Sequence, residues 1–127
     1  MWLQLKLEEG QILHELSIAM SIIEMAEEEA ERRGGVRVNA IHLKLGDLSG
    51  VVEDALQSSY EMASYGSTLQ GSRLLIEKVP VTVYCPRCCK QRQLESIQNF
   101  SCPECGVPTP EVIHGRELEV FALEISE

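Results

Sequence analysis

Four of the five cysteines form two Cys-x-x-Cys pairs, Cys85 with Cys88 and Cys102 with Cys105. Each pair begins Cys-Pro, and 13 residues separate the two pairs. Two turns of this kind each present two thiolates, and together they supply the four ligands of a tetrahedral zinc site. Because four protein thiolates leave no open coordination position, we predict that the Zn²⁺ is structural and not hydrolytic.

The fifth cysteine, Cys89, directly follows the first pair. It could replace Cys88 as a ligand in a shifted register. The matched Cys-Pro-x-Cys pairs favour Cys88, so we predict that Cys89 is a free or reactive thiol.

The segment around the cysteines differs in composition from the rest of the chain. Residues 85–114 hold all five Cys and four of the five Pro. This shift predicts a small inserted zinc-binding domain at residues 83–114. Zinc binding contributes on the order of 10 kcal/mol to the folding of a lobe that is too small to fold without it.

The elements that carry this lobe follow from the hydrophobic pattern. HELSIAMSIIEMAEEEAERRGG predicts a helix with Leu16, Ala19, Ile22, Ile23, Ala26 and Ala30 on one stripe. Glu27, Glu28, Glu29 and Glu31 are then expected to face water, and Gly34-Gly35 is expected to end the helix.

Further along, Ile41, Leu43 and Leu45 alternate with polar residues, which predicts a half-buried strand. GDLSG turns the chain into a second helix, VVEDALQSSYEMASYG, with Val52, Leu56, Ser59 and Met62-Ala63 expected on one side. SRLLIEKVPVTVY and RELEVFALEIS supply two more strands. The predicted fold is α+β, with two helices on a three-stranded sheet formed by residues 13–82 and 115–127 and an inserted zinc-ribbon lobe with four cysteine ligands.

Charge and hydropathy exclude several classes of function. The net charge is −9, and residues 81–116 form no basic face, which argues against a zinc-ribbon nucleic-acid or transcription adaptor, the alternative interpretation of the lobe. No apolar run is long enough to span a membrane and no secretion signal is present, so we expect a cytoplasmic protein. No nucleophile–base pair is evident, so we do not expect an enzyme.

The order of these motifs resembles the HypA/HybF family of hydrogenase nickel incorporation proteins. HELSIA before a long helix, GDLSGV after the first strand, VPVTVYCPRC, a second CPxC and a terminal strand carry the resemblance over residues 13 to about 126. It implies a nickel metallochaperone that loads Ni²⁺ into the large subunit of [NiFe]-hydrogenase with a HypB-type GTPase. Some members of the family also serve urease, so the resemblance implies urease maturation as a second target. It leaves open whether the chain is a monomer or a dimer.

The resemblance also implies the nickel ligands. Family chains begin Met-His-Glu, so an α-amine, an amide nitrogen and an imidazole can chelate one ion, a planar donor set that suits Ni(II). By position, His14 is the principal ligand and Glu15 is a ligand or an outer neighbour. Asp47, Glu53 or Asp54 are candidate neighbours of the ion, and the sequence does not choose among them.

The chain departs from the family where position 13 is Leu, preceded by twelve residues. Leu13 then contributes an amide instead of an amine. We hypothesise that the natural protein starts at Leu13, read as Met from a TTG codon, and that residues 1–12 are an extension. The alternative is a genuine extension with weaker nickel binding or other donors. The alternation in MWLQLKL also predicts a strand that could pair with an exposed sheet edge, its own or a neighbour's, and promote dimers.

Overall fold

A computed structural model describes residues 2–6 and 15–127. The elements run in the order β1 (Trp2–Lys6), α1 (Glu15–Arg32), β2 (Arg37–Gly46), α2 (Glu53–Ser64), β3 (Arg73–Val79), β4 (Thr82–Cys85), β5 (Lys90–Gln93), β6 (Val112–His114) and β7 (Leu118–Ser126). The described residues divide into two compact units. The first contains the described residues up to Leu43, together with Val51–Glu77 and Glu119–Glu127. The second consists of Lys44–Gly50 and Lys78–Leu118 and therefore includes all of the 83–114 segment.

Helix α1 forms where the apolar periodicity predicts it. Its buried apolar residues are Ile18, Ala19, Ile22, Ile23 and Ala26. The helix ends at the predicted glycines, since the N–H of Gly35 bonds to the carbonyl of Ala30 and Gly34 has a φ of 88°. α1 packs against α2.

Two details of the predicted α1 surface are wrong. Leu16 is 42% exposed, so the buried stripe begins two residues later, at Ile18. Glu29 is buried instead of facing water, because the side chains of Arg32 and Arg33 both pair with its carboxylate. A buried carboxylate is tolerated when charged donors surround it.

Helix α2 buries Leu56 as predicted, but Val52 and Met62 do not share its buried face. Val52 and Met62 are 60% and 69% exposed, whereas Leu56 and Tyr60 are buried. The hydroxyl of Tyr60 hydrogen-bonds to that of Ser72, which satisfies the polar end of the buried ring. Leu56 and Tyr60 are four residues apart and therefore lie on one face of the helix.

The larger sheet has the strand order β1-β7-β2-β3. Strands β2, β3 and β7 of this sheet are the three that were predicted. The α+β class with two helices is confirmed. Residues 2–6 add a fourth strand, antiparallel to β7, with Leu5 opposite Val120 and Lys6 opposite Glu119. The predicted pairing of this segment with a sheet edge is therefore found within the same chain.

The long strand predicted over SRLLIEKVPVTVY is divided into β3 and β4, which belong to different sheets. Pro80 lies between them and cannot donate a ladder hydrogen bond. The smaller sheet has the order β5-β4-β6. Its core consists of Val81, Val83 and Leu94, with Leu48, Phe100 and Val112 packed against it.

Candidate metal centre

The first cysteine pair lies in the turn between β4 and β5. β4 ends at Cys85, and the N–H of Cys88 points at the sulfur of Cys85, 3.3 Å away. The N–H of Cys89 closes the turn by donating to the carbonyl of Cys85 at 2.8 Å. Cys89 itself has a φ of 56°, in the left-handed region. The short antiparallel pairing of β4 with β5 holds this turn in place.

The second pair lies in a turn of the same design. The N–H of Gly106 donates to the carbonyl of Cys102 at 2.8 Å, and Gly106 has a φ of 78°. Gly106 thus occupies the position that Cys89 occupies in the first turn. Cys102 donates its own N–H to the carbonyl of Val107, which keeps the two sides of the turn together.

The two turns bring four sulfur atoms within 4.8 Å of one another, those of Cys85, Cys88, Cys102 and Cys105. The Cys85–Cys105 and Cys88–Cys102 sulfur distances are 3.5 Å and 4.0 Å. A tetrahedron with Zn–S bonds of 2.3 Å has sulfur–sulfur edges of about 3.8 Å. The two measured distances lie on either side of this value, so the four thiols fit a zinc-type site, and a four-thiolate donor set is typical of structural zinc.

Cys89 takes no part in this cluster. Its side chain is exposed, and its sulfur lies 3.4 Å from the carbonyl oxygen of Pro86. The prediction that Cys88, and not Cys89, belongs to the four-cysteine group agrees with this geometry.

The thiols of the cluster differ in acidity. Burial opposes ionisation of Cys102, but the backbone N–H groups of Cys105 and Glu104 favour its thiolate and the pKa of Cys102 falls to about 6. The N–H of Val107 favours the Cys105 thiolate, but burial and the three neighbouring thiols outweigh it and raise the pKa of Cys105 to about 11. At neutral pH the metal-free cluster therefore holds protons that a metal ion must displace.

Arg92 lies beside the cluster, and sequence reasoning did not single it out. Interaction of its guanidinium with Cys88, and to a smaller extent with Cys102, raises the pKa of Arg92 although burial opposes the shift. The only signal in the sequence was that Arg92 belongs to the same 30-residue segment as the cysteines.

The predicted nickel residues are not gathered into one group in the described part of the chain. His14 lies outside the described residues, and Glu15 is the first residue of α1. Glu53 is the first residue of α2, and Asp54 follows it. Within residues 2–6 and 15–127, the four cysteines form the only group of three or more metal-ligating side chains.

Asp47 pairs with a lysine and lies in a hydrogen-bonded turn. Its carboxylate lies 3.4 Å from the amine of Lys78, and its N–H donates to the carbonyl of Val79. The neighbouring Gly46 and Leu48 donate to the carbonyls of Glu117 and Gly115. The GDLSG turn therefore binds both chain segments that flank the smaller sheet, a structural role that the sequence did not reveal.

The other two histidines have carboxylate partners. The imidazole of His42 lies 3.4 Å from Glu124 and against the ring of Phe121, and that of His114 lies 3.2 Å from Glu117. Neither histidine joins the cysteine cluster.

In the part of the chain that the structure describes, no helix combines the length and the apolar character needed to cross a membrane.

Comparison with protein families gives one match that covers most of the chain. A model of the family described as "Hydrogenase/urease nickel incorporation, metallochaperone, hypA" matches residues 13–125. The hydrogenase maturation factor HypA of Roseiflexus sp. (strain RS-1) is 47% identical over 115 residues, which are 91% of this chain and 94% of the relative. The HypA of Geobacter metallireducens is 41% identical over 89% of this chain and 99% of its own length.

Two solved structures share the fold. The solution structure of the Ni metallochaperone HypA from Helicobacter pylori superposes with a TM-score of 0.60, at 21% identity over 89% of this chain and 97% of that one. A second solution structure, of a protein described as HypA, gives a TM-score of 0.64 at 22% identity over 92% and 98%. At these identities the likeness concerns the arrangement of helices and strands.

Proposed function

This chain belongs to the HypA family of hydrogenase/urease nickel incorporation metallochaperones, and from that membership we propose that it carries Ni²⁺ to a hydrogenase precursor. Metallochaperones bind and pass on a metal ion and are not enzymes, as the sequence predicted. The observation that carries the proposal is the family match over residues 13–125, which begins immediately before the His14-Glu15 pair.

We place the nickel ligands at the N-terminal end of α1. His14 provides an imidazole and the amide nitrogen before it, and Glu15, the half-buried first residue of α1, offers a carboxylate next to them. An α-amine on residue 13 would complete a planar nitrogen set that suits Ni(II) better than Zn(II). Asp47 is a poorer neighbour for the ion, because Lys78 already compensates its charge.

The division of labour between two metals follows from their donors. The four-cysteine site is closed and holds its ion, whereas an N-terminal site of nitrogen donors is open on one side. Such a site can release nickel by ligand exchange, in which donors of a docked partner replace those of the carrier one at a time.

The partners of this transfer are part of the proposal. A HypB-type GTPase and the large subunit of a [NiFe]-hydrogenase are the expected partners, and the family description extends the targets to urease. With these partners, we expect the nickel transfer to occur in the cytoplasm.

Nickel titration tests the proposed ligands. Zinc-loaded protein that begins at residue 13 as Met is titrated with NiCl₂ by calorimetry, alongside the same protein with His14→Ala. We expect the substitution to weaken nickel binding at least about tenfold, since it removes the imidazole of the chelate. The ligand-field absorption of planar nickel(II) should disappear with it.

Two further proteins serve as controls. His42→Ala removes an imidazole that pairs with Glu124 and should leave nickel binding unchanged. The full 127-residue chain, in which a peptide bond replaces the amine before His14, should bind nickel more weakly than the chain that begins at residue 13. Equal nickel binding by the protein that begins at residue 13 and by its His14→Ala variant would show that the nickel ligands lie elsewhere.

A further inference from the structure

Four exposed apolar side chains lie along one groove between the two helices. α1 packs against α2, and each helix contributes two of these side chains to the outer side of the contact. An exposed apolar patch of this kind marks a contact surface, whereas single exposed apolar residues are ordinary. The four are Leu16, Met20, Val52 and Met62, which are between 42% and 69% exposed.

A hydrogen bond shows which flank of α1 faces α2. Glu27 of α1 accepts it from the hydroxyl of Thr68, four residues beyond the end of α2, at 2.8 Å. Leu16 and Met20 precede Glu27 by 11 and 7 residues. With 3.6 residues per turn, both lie within about 20° of Glu27 around the helix. The exposed apolar side chains of α1 therefore border α2.

A second hydrogen bond orients α2. The side-chain amide of Gln57 donates to the carbonyl of Leu74 at 2.8 Å, so this flank of α2 faces β3. Val52 and Met62 each lie five residues from Gln57, which is about 140° around the helix. Both therefore lie on the side of α2 that is turned away from β3, toward α1.

Val52 contributes little to the folded chain itself. It is the N-cap residue of α2, and no side-chain hydrogen bond caps the helix there. Ser, Thr, Asp and Asn stabilise a helix from this position, whereas Val is among the poorest residues for it. Folding gains neither burial nor a cap from Val52, as expected of an apolar residue that serves a contact with another molecule.

Acidic side chains border the groove on both sides. Neither residues 7–31 nor residues 45–72 contain any Lys or Arg. None of the four carboxylates on the two rims forms an ion pair with another described residue. These exposed rim carboxylates belong to Glu24 and Glu28 of α1 and to Asp54 and Glu61 of α2.

We propose that this groove binds a basic amphipathic helix of the protein that receives the nickel. A third helix can lay an apolar stripe between α1 and α2, and flexible Met side chains adapt to such a stripe. Lys and Arg beside the stripe then pair with the carboxylates of the two rims. A second copy of this chain is a poor occupant, because its own α1 and α2 would set carboxylates against carboxylates.

The position of the groove identifies the receiving protein as the occupant. Leu16 is two residues after His14, so the groove begins at the proposed nickel ligands. A partner seated there brings its own donors next to the ion, as ligand exchange requires. The identity of the occupant thus rests on the proposed function, whereas the apolar groove and its acidic rims do not.

The first pair of variants tests the apolar side chains. The probe is the purified large-subunit precursor of a [NiFe]-hydrogenase from the same organism, and its binding to full-length, zinc-loaded protein is measured by biolayer interferometry. Met20→Gln combined with Met62→Gln replaces two apolar side chains by polar ones of similar length. Ile97→Gln is the matched control, because Ile97 is 49% exposed and lies in the smaller compact unit. We expect the double variant to bind the precursor at least about tenfold more weakly, and Ile97→Gln to match the parent.

The second pair tests the acidic rims. Glu24→Gln combined with Asp54→Asn removes one charge from each rim, and Glu95→Gln combined with Glu111→Gln removes two exposed charges elsewhere. At low salt the rim variant should bind the precursor roughly three- to tenfold more weakly than the parent, and the difference should shrink at high salt. The control should match the parent at both salt concentrations. Circular dichroism and zinc content confirm that every variant is folded.

Several outcomes would overturn the proposal. They are a parent that does not bind the precursor, precursor binding that survives in the Met20/Met62 variant, and equal losses in that variant and its control. A rim variant that binds like the parent would show that the occupant is not basic. Loss of binding to a purified HypB-type GTPase alone, or of self-association alone, would assign the groove to another occupant.

Nickel titration keeps the proposed function separate from this inference. The Met20/Met62 variant retains every proposed nickel ligand and should bind nickel like the parent. A parent that does not bind nickel contradicts the proposed function. Normal nickel binding together with an unchanged affinity of the variant for the precursor contradicts only the docking groove.

Discussion

Cys89 occupies a backbone position that suits glycine. It has a φ of 56° and closes the first cysteine turn, and Gly106 closes the second turn in the same way with a φ of 78°. A residue with a Cβ in this region carries a steric cost of roughly 1–2 kcal/mol. The chain thus accepts local strain at Cys89, whose sulfur is outside the metal cluster.

Replacing Cys89 by Gly should therefore stabilise the protein. We expect Cys89→Gly to raise the free energy of unfolding by up to about 1 kcal/mol, because the steric cost exceeds the extra freedom of glycine in the unfolded chain. Thermal denaturation of zinc-loaded protein measures the effect. Cys89→Ala, which loses the thiol but keeps the Cβ, is the control.

Both variants should retain one zinc, whereas Cys88→Ala should lose it. A Cys89→Gly protein no more stable than Cys89→Ala would contradict the backbone argument. Loss of zinc from either Cys89 variant would show that the register of the ligands is wrong.

At the residue scale, the sequence predicted what spacing alone determines. Cys85, Cys88, Cys102 and Cys105 could be identified because two matched turns admit few other arrangements. The position of Arg92 opposite Val83 could not be predicted, since it depends on β5 pairing with β4, which joins residues without any shared motif. The exposure of Val52 was missed because tertiary packing decides which face of the helix is buried. The burial of Glu29 was missed because hydrophobic periodicity does not show that Arg32 and Arg33 pair with its carboxylate.

At the scale of elements, the backbone of the GDLSG turn lies very close to the backbone around Gly115, which only glycine permits. A Cβ on Gly46 would lie 2.1 Å from the carbonyl oxygen of Gly115 and 2.7 Å from the nitrogen of Glu117. Gly115 is itself in a glycine-favouring conformation, with a φ of 128°. The periodicity of the sequence predicted the helices and strands here, but it carries no information about a contact between two glycines 69 positions apart.

Gly46→Ala should destabilise the protein by about 3 kcal/mol or more, because only rigid backbone atoms surround the added methyl group. Making room for the methyl group would also lengthen two hydrogen bonds. They run from the N–H of Gly46 to the carbonyl of Glu117 and from the N–H of Leu48 to the carbonyl of Gly115. Urea denaturation followed by circular dichroism measures the change.

Gly50→Ala, in the same turn, separates this steric effect from the backbone effect of glycine. Gly50 has a φ of 78° and nothing within 4 Å of an added Cβ, so its substitution should cost only about 1 kcal/mol. Equal losses at the two positions would mean that the close approach of Gly46 to Gly115 does not contribute to stability.

At the scale of the whole molecule, the fourth strand connects the N-terminal segment to the end of the chain. β1 pairs with β7, and β7 lies next to β2 in the larger sheet. Without β1, the outer backbone groups of β7 would form an open edge, which favours pairing with another chain. The sequence predicted this strand from alternation alone, but its partner strand could only be found in the folded chain.

Residues 1–12 thus affect two separate properties, nickel binding and self-association. Their removal places an α-amine next to His14, which concerns nickel, and it exposes the edge of β7, which concerns self-association. The substitution Leu5→Pro separates the two, because it removes a backbone N–H from β1 opposite Val120 while the peptide bond before His14 stays in place.

Self-association can be followed by sedimentation velocity at several protein concentrations, with zinc-loaded protein in each case. We expect the chain that begins at residue 13 and the Leu5→Pro chain to associate more strongly than the parent, since both free the edge of β7. Nickel affinity should increase only in the shortened chain, because only that chain gains the amine donor. If neither variant associates more than the parent, β1 does not protect the edge. A parent that is already a dimer and becomes monomeric on shortening would instead show that β1 pairs with the β7 of a second copy.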